Sequence, residues 1–207
     1  SLGDVSKYVK GFTDMAEVDS YLSLNVSSAM CLTAKVLQAF PQRPGLRRSI
    51  INVTSLCALQ PFRSWGLYCT AKAAREMMFK VLAEEEPDLR VLSYSPGRNR
   101  WDPYRGAVTV AAGNGTLLFL RCGFGRSLGP LESILTFVLF SVEPGPLDTE
   151  MQVEARTKTA DPSIKKTFSN MFAQGQLLTC EMSSAKLMKV LLDDKFTSGD
   201  HIDVFDV

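Results

Sequence analysis

The middle of the chain constrains the fold most strongly, because it has the pattern of a strand, a helix and a second strand. Ser49–Thr54 is a short run rich in β-branched residues and bounded by turn residues, as in a buried strand. Trp65–Glu86 has a helical composition and ends at a proline, and Arg90–Ser95 again has a strand pattern. Such a unit pairs its strands in parallel, so we expect an α/β fold, a doubly wound parallel sheet with helices on both faces.

Helical and strand patterns continue on both sides of this unit. Val18–Phe40 carries apolar residues at helical spacing and predicts a long helix. Near the end of the chain, Ser183–Asp194 repeats the helical pattern and His201–Phe205 the strand pattern. We therefore expect a single domain over residues 1–207.

The stretch from about Arg98 to Glu143 interrupts this order, with a Gly-rich middle between apolar runs. A Pro-Gly pair precedes the stretch at Pro96 and another follows it at Pro144, and joining the two would leave a continuous SYSPGPLDTE. We interpret residues 98–143 as an atypical insertion in a loop that is otherwise short, and we expect no designed role for it.

Composition excludes several classes of function. The chain has 23 Lys and Arg against 22 Asp and Glu, so nothing in its charge favours nucleic acid or an anionic membrane as a partner. Its five cysteines form no C-x-x-C pair, and its one histidine leaves little for a metal site or a hydrolytic triad. No apolar run reaches the roughly 18 residues of a membrane span. We expect a cytoplasmic protein without a metal.

Tyr68 and Lys72 form the strongest chemical motif, Tyr-Cys-Thr-Ala-Lys, with Ser55 upstream at the end of a predicted strand. Residues four apart on a helix lie on one face, so both side chains reach the same cleft. We expect the Lys72 ammonium to lower the pKa of the Tyr68 phenol, ordinarily about 10, and to make it a usable proton donor. Ser55 then hydrogen-bonds the same carbonyl oxygen. The alternative is an exposed pair on an amphipathic helix.

In this setting the motif resembles the short-chain dehydrogenase/reductase family, over residues 1–97 and 144–207. The resemblance implies a partial Rossmann-type doubly wound parallel sheet whose N-terminal strands are missing. It also implies that Tyr68 is the general acid, that Ser55 orients the substrate carbonyl and that Lys72 holds the nicotinamide ribose as well. Asn25, within LSLNVSS, completes a proton relay by the same resemblance.

Further segments resemble a branch of that family that reduces side-chain carbonyls of pterins with NADPH, in the last steps of tetrahydrobiopterin biosynthesis. They are SLCALQPF from Ser55, WGLYC from Trp65, PGPLDTEM from Pro144 and the terminal HIDVFD. By this resemblance, the substrate contacts are Ser55, Leu56, Tyr68, Gly145 and Asp203. Asp203 anchors the pterin ring, or is instead a solvated acid near a chain end. The cofactor contacts implied are Lys72, Leu147, Asp148, Thr149, Glu150, Met151 and Gln152.

The sequence also departs from the family pattern. Family members begin with a strand, a Gly-rich turn and a phosphate-binding helix, and this sequence shows no counterpart before Asp4. A weak candidate replacement lies in the insertion, with Thr116–Leu120 as a strand, a Gly-Phe-Gly turn and Arg126–Leu139 as a helix, but its glycine spacing does not match. We expect Ser49–Thr54 to be left with an exposed edge, and the chain to be unstable.

Three interpretations follow. The first is an NADPH-dependent carbonyl reductase, and the second is an inactive, truncated or mis-assembled family member. The third is an interaction module that dimerises through helices 18–40 and 65–86, the helices that the resemblance places at a homodimer interface.

Overall fold

The computed structural model describes residues 2–45, 47–96, 99–100, 108–110, 118–121, 134–139 and 150–207. In these ranges the α-helices are α1 (Met15–Leu22), α2 (Ser28–Ala39), α3 (Gly66–Glu85), α4 (Glu150–Lys158), α5 (Pro162–Ala173) and α6 (Cys180–Asp193). The strands are β1 (Arg47–Val53), β2 (Leu89–Ser95), β3 (Asn99–Arg100), β4 (Val108–Val110), β5 (Leu118–Arg121), β6 (Ile134–Leu139), β7 (Leu178–Thr179) and β8 (Asp200–Asp203).

The main sheet has the order β4-β5-β6-β1-β2-β8. All neighbouring strands run parallel except β4 and β5, which are antiparallel. The unit β1-α3-β2 lies at its centre, with Ile50 paired to Val91 on one side and to Phe137 on the other. The predicted α/β fold with a parallel, Rossmann-type sheet is confirmed, and both central strands lie within a residue or two of their predicted bounds.

The expectation of an exposed edge on β1 was wrong. Residues 47–52 of β1 pair with 134–139 of β6, so that a strand from the proposed insertion supplies the main-chain partners. The run Ile-Leu-Thr-Phe-Val-Leu in β6 is apolar and partly β-branched, which suits a strand inside a sheet. For the same reason the helix considered over residues 126–139 was wrong in its last six residues.

Each face of the sheet packs on a different set of helices, because side chains alternate along a strand. On one face Ile50 and Val91 join Val36 of α2 and Phe79 of α3 in one apolar cluster. On the other face a second cluster contains Ile51, Val53, Leu92 and Tyr94 packed against Leu187 and Leu191 of α6. Helices therefore cover both faces, and Ser55 emerges from the carboxyl end of a buried central strand.

The predicted helix over 18–40 begins earlier and changes pitch in its middle. Asp14 caps its start by accepting a hydrogen bond from the N–H of Ala16 at 2.9 Å. A π-helical turn over Ser23–Ser27 separates α1 from α2, and Asn25 is its buried residue. Such turns are frequent at functional sites because they redirect side chains and main-chain groups.

The C-terminal third contains two helices that the sequence patterns did not predict, α4 and α5. Asp161 caps α5 by accepting hydrogen bonds from the N–H groups of Ser163 and Ile164, both at 3.1 Å. Ala155 of α4 and Phe168 of α5 are buried in a third apolar cluster. The predicted strand 201–205 is shorter, because a 3-10 turn over Val204–Asp206 follows β8.

Candidate active site

Two of the predicted site residues, Ser55 and Asp203, lie at the carboxyl ends of the parallel strands. Ser55 follows β1, Ser95 ends β2 and Asp203 ends β8, so three neighbouring strands deliver polar side chains to one edge of the sheet. Ligands of open α/β sheets bind at this edge. Tyr68 and Lys72 come to the same region from α3.

Tyr68 and Lys72 are both buried, with 2 % and 3 % of their surface exposed. The Lys72 Nζ lies 5.5 Å from the centroid of the Tyr68 ring. The alternative of an exposed pair on an amphipathic helix is therefore wrong. Their four-residue spacing places both side chains on the inner face of α3, as expected.

An aromatic stack holds the Tyr68 ring. Trp65 contacts it edge-on, with ring centroids 5.5 Å apart, and stacks on Phe168 of α5 at 5.1 Å. The indole N–H of Trp65 donates to the hydroxyl of Thr159 at 3.1 Å. These contacts leave the phenol little freedom to rotate away from the strand ends.

Ser55 lies beside the phenol. Its hydroxyl acts to lower the pKa of the Tyr68 phenol, and it accepts a hydrogen bond from the backbone N–H of Cys57 at 3.3 Å. Ser55 is 7 % exposed, and the adjacent Leu56 is half-buried at the start of a 3-10 turn. A buried phenol and a buried hydroxyl at the same end of the sheet are hydrogen-bonding groups suited to one carbonyl oxygen.

The expected lowering of the Tyr68 pKa was wrong. Burial raises the pKa of Tyr68 above its ordinary value, and the Ser55 hydroxyl opposes this only in part. Burial also lowers the pKa of Lys72 to about 7, with a further contribution from the positive charge of Arg75. In both cases the largest cause is the desolvation of the charged form. Tyr68 therefore keeps its proton at neutral pH, as a proton donor must.

A buried polar chain lies beneath Lys72, and sequence reasoning missed it. The Lys72 Nζ donates to the Val53 carbonyl at 3.1 Å. Arg75 donates to the Asn52 side-chain oxygen at 2.8 Å, and the Asn52 amide nitrogen donates to the Ser93 hydroxyl at 3.0 Å. Two features of the sequence could have indicated this chain: Asn52 lies inside an apolar strand, and Arg75 lies on the inner face of a helix.

Asn25 lies on the π-helical turn, which packs against α3. Its side-chain N–H donates to the Tyr21 carbonyl at 2.9 Å, so the amide is used within its own helix. The structure thus brings Asn25 to the helix that carries Tyr68 and Lys72, with its side chain turned to the backbone of Tyr21.

Asp203 is partly buried and has a structural task at the end of β8. One oxygen accepts the Ser95 hydroxyl at 2.6 Å, and the other accepts the backbone N–H of Phe205 at 3.1 Å. Asp206 in turn accepts the backbone N–H of Asp203 at 3.2 Å, which completes a capping box. Asp203 is therefore a held carboxylate rather than a freely solvated acid.

The predicted cofactor loop is described only from Glu150 onward. Gly145, Leu147, Asp148 and Thr149 lie outside the described residues. Glu150, Met151 and Gln152 form the first turn of α4, and Met151 packs on the cluster that contains Tyr68. Gln152 is 0 % exposed, and its amide oxygen and nitrogen have no hydrogen-bond partner among the described residues. Such a buried amide suits a polar ligand.

A separate cleft of about 460 Å³ opens at the other end of the sheet, lined by Arg47, Arg48 and Arg90 among others. These residues lie at or next to the amino ends of β1 and β2. Their guanidinium groups pair with Asp194 and Glu86. This cleft is therefore far from the strand ends that carry Ser55 and Asp203, and its charges are already matched.

The described residues contain neither a candidate metal site nor a candidate membrane span. No group of three or more His, Cys, Asp or Glu side chains there has the arrangement of a metal site. No helix there is both long and apolar enough to cross a membrane.

Comparison with known sequences identifies the relatives of this chain. The family described as short chain dehydrogenase matches residues 5–99. Sepiapterin reductase from Bos taurus is 42% identical over 206 residues, which are 100% of this chain and 59% of that protein. Sepiapterin reductase from Xenopus tropicalis is 41% identical over the same length, which is 60% of that protein. The chain thus spans about 60% of the length of the curated relatives it matches.

Comparison with solved structures supports the fold. The KRED1-Pglu enzyme aligns with a TM-score of 0.64 and 20% identity, over 95% of this chain and 62% of that one. A short-chain dehydrogenase/reductase from Saccharomyces cerevisiae aligns with a TM-score of 0.62 and 18% identity, over 96% of this chain and 60% of that one. At this identity the likeness concerns the fold alone.

Proposed function

The chain belongs to the short-chain dehydrogenase/reductase family, and from that premise we propose that it is an NADPH-dependent reductase of pterin side-chain carbonyls. The observation that carries the proposal is the burial of Tyr68, Ser55 and Lys72 at one end of the sheet, with the Lys72 Nζ 5.5 Å from the centroid of the phenol ring. The similarity to two sepiapterin reductases supports the choice of substrate class. Because the chain spans part of those relatives, the activity is a proposal.

Tyr68 and Ser55 act on the carbonyl oxygen. We assign both hydroxyls to one carbonyl oxygen, which accepts a hydrogen bond from each. NADPH, when bound, supplies a hydride to the carbonyl carbon. Tyr68 donates its proton to the developing alkoxide, for which it must enter the step protonated, and its raised pKa satisfies this requirement.

Lys72 lies between the Tyr68 phenol and the backbone of β1. Its Nζ is held by the Val53 carbonyl at 3.1 Å, within reach of the Tyr68 ring. We assign it to the nicotinamide ribose hydroxyls and to return of the proton to the phenolate after the reaction. Asn25, on the adjoining π-helical turn, extends the relay toward solvent.

The residues present fit the nicotinamide half of the cofactor. The buried amide of Gln152 has its hydrogen-bonding groups unused among the described residues, and Lys72 offers a donor beside the phenol. We assign both to the cofactor, together with the first turn of α4 (Glu150, Met151) and the preceding Leu147, Asp148 and Thr149. No described residue is assigned to the adenine half.

Asp203 is our choice for the pterin ring, because a carboxylate accepts hydrogen bonds from a 2-amino group and a ring N–H together. Each of its oxygens accepts one protein hydrogen bond, from Ser95 or from Phe205, and an oxygen with two lone pairs accepts another. Leu56, half-buried beside Ser55, and Gly145 complete the proposed substrate contacts.

The two helical faces support a homodimer as the working form. The exposed apolar side chains are Leu24 on the π-helical turn, Met30 and Leu32 on α2, and Met77 and Val81 on α3. A second copy that covers these side chains removes apolar surface from water, which stabilises the dimer. Sedimentation that shows only monomer contradicts this assembly.

Cofactor binding tests the proposal first. We expect NADPH to quench or shift the fluorescence of Trp65 and Trp101 in the native chain, and sepiapterin to be turned over. Lys72→Met removes the ribose contact and weakens NADPH binding at least tenfold, while Lys80→Met, on the outer part of the same helix, leaves it unchanged. A native chain that binds neither NADPH nor a pterin at high micromolar concentration overturns the proposed function.

A further inference from the structure

Lys186 lies on α6, outside the proposed mechanism, and contacts the segment that follows Asp203. Its Nζ donates to the main-chain oxygen of Val204 at 2.7 Å and to that of Val207 at 2.8 Å. The first oxygen begins the 3-10 turn over Val204–Asp206, and the second belongs to the residue after that turn. One ammonium group therefore ties both ends of the turn to α6.

The side chain of Val204 packs against the same helix. Val204 is 0 % exposed and belongs to the apolar cluster that Leu187 and Leu191 of α6 cover. Lysine side chains mostly extend into water, whereas Lys186 is half-buried and its ammonium is held by main-chain oxygens. Hydrogen bonds from a charged donor are stronger than those between neutral groups. The Lys186 ammonium is therefore a specific anchor for the turn.

The anchored turn carries a donor that orients the Asp203 carboxylate. The backbone N–H of Phe205, inside the turn, donates to one carboxylate oxygen at 3.1 Å. The Ser95 hydroxyl donates to the other oxygen at 2.6 Å. The plane of the carboxylate is thus set by two donors, one on β2 and one on the turn that Lys186 anchors. A carboxylate that accepts two parallel hydrogen bonds from one flat ring has to lie near the plane of that ring.

We propose that Lys186 is a positioning residue, which holds the Asp203 carboxylate in the plane of the pterin ring by anchoring the turn that follows it. The proposal rests on the proposed function, which assigns Asp203 to that ring. Without the Lys186 ammonium, the main-chain oxygens of Val204 and Val207 lose their shared donor, and the N–H of Phe205 moves away from the carboxylate. The carboxylate then rotates, and fewer molecules present both oxygens to the ring.

A purely structural anchor is the alternative, and replacement of Asp203 distinguishes the two roles. If Lys186 acts through the carboxylate, its loss has no further effect on ligand binding in a chain whose carboxylate is already gone. If Lys186 only stabilises the fold, its loss weakens binding equally in both chains. Lys189, exposed on the same helix, provides a control for the loss of one positive charge.

A double-mutant cycle on sepiapterin binding tests the proposal, with the chain loaded with NADP⁺ so that no turnover occurs. We expect Lys186→Met to weaken binding about three- to tenfold, the range for one lost hydrogen bond, and Lys189→Met to leave it unchanged. In the Asp203→Asn chain, Lys186→Met should have no further effect. Lys186→Arg keeps a charged donor and should restore most of the affinity.

Amide hydrogen exchange, followed by NMR, tests the anchor without any ligand. We expect the N–H of Phe205 to exchange faster in Lys186→Met than in the native chain, and Lys189→Met to leave its rate unchanged. Lys186→Gln, with a side chain one bond shorter, is the second variant if Lys186→Met does not fold. It keeps a polar group but loses at least one of the two contacts, so exchange and binding should change in the same direction.

Two results overturn the proposal. One is an unchanged exchange rate at Phe205 when Lys186 is replaced by Met or Gln, and the other is a loss of sepiapterin binding that is absent or equal in the native and Asp203→Asn chains. A native chain that binds no pterin contradicts the proposed function, and the exchange rate at Phe205 still decides whether Lys186 holds the donor to the carboxylate. The two failures are therefore distinguishable.

Discussion

The Nζ of Lys72 lies 5.5 Å from the centroid of the Tyr68 ring, inside the protein and held by the Val53 carbonyl. This geometry changes the expected roles of the two groups. Burial keeps the phenol protonated and lowers the pKa of the amine, so that near pH 7 the phenol is uncharged and the amine about half protonated before a ligand binds. The proton that the reaction requires is therefore already on the Tyr68 phenol before a ligand binds.

Lys72 should make the unliganded chain more stable as pH rises. Its pKa is about 7 in the folded chain against an ordinary value of 10.5, so the unfolded chain binds more protons between those values. Unfolding free energy therefore rises with pH across this window, and the penalty is fully present below pH 7, on the order of a few kcal/mol. Urea unfolding at pH 7 and pH 9 measures the slope.

Lys72→Met isolates this contribution from other groups that titrate in the same window. We expect the variant to be more stable than the native chain at pH 7, and the difference to shrink at pH 9. Lys80→Met, with an exposed side chain on the same helix, serves as the control. A native-minus-variant difference that is the same at both pH values contradicts the assignment.

Cys69 should react with iodoacetamide at neutral pH. Because the nearby Cys57 thiol lowers its pKa to about 7, its alkylation rate should rise through pH 7 and level off above it. Cys57→Ala removes that thiol, and we expect the midpoint to move upward by about a unit or more. Mass spectrometry of peptide 64–72 follows the rate, and equal midpoints in both chains exclude the Cys57 thiol as the cause.

Asp203 should affect the affinity for the pterin more than the rate. Replacing it by asparagine removes a charged acceptor of two hydrogen bonds, so we expect KM for sepiapterin to rise about tenfold to a hundredfold, with a smaller change in kcat. Ser95→Ala removes the hydroxyl that holds one carboxylate oxygen and should give a smaller rise. Asp206→Asn disturbs the same capping box but leaves the Asp203 carboxylate in place. This variant therefore shows how much of the effect comes from losing the cap rather than the contact with the pterin. Equal effects of Asp203→Asn and Asp206→Asn contradict the assignment.

Strand β6 should be required for folding. Replacing Ile134–Leu139 by a Gly-Ser sequence removes the strand that pairs with β1 along residues 47–52. A central strand with an open edge pairs with other chains, so we expect aggregation and a loss of cooperative unfolding. The same replacement of residues 111–116, which lie between β4 and β5, is the control. A soluble β6 variant with native thermal unfolding shows that β1 does not need this partner.

Local signals account for what the sequence predicted well. The strand–helix–strand unit and the spacing of Ser55, Tyr68 and Lys72 depend on short-range periodicity, and the structure keeps these elements within one or two residues of their predicted bounds. The roles assigned to these residues, and to Asn25 and Asp203, stay predictions.

Long-range packing accounts for what the sequence did not predict. The pairing of β6 with β1 joins residues more than 80 positions apart, and no local pattern indicates it. The direction of the Tyr68 pKa depends on how deeply Trp65 and Phe168 bury the ring. Cys57 and Cys69 likewise join one apolar cluster only after the 3-10 turn has packed on α3.

Single-turnover reduction of sepiapterin by the NADPH-loaded chain tests the central claim most directly, with Tyr68→Phe beside Tyr8→Phe, an exposed phenol outside the site. We predict that Tyr68→Phe binds NADPH as the native chain does and reduces the carbonyl at least a hundredfold more slowly, because the proton donor is gone. Tyr8→Phe should match the native rate. A Tyr68→Phe chain that reduces sepiapterin at the native rate would contradict the account.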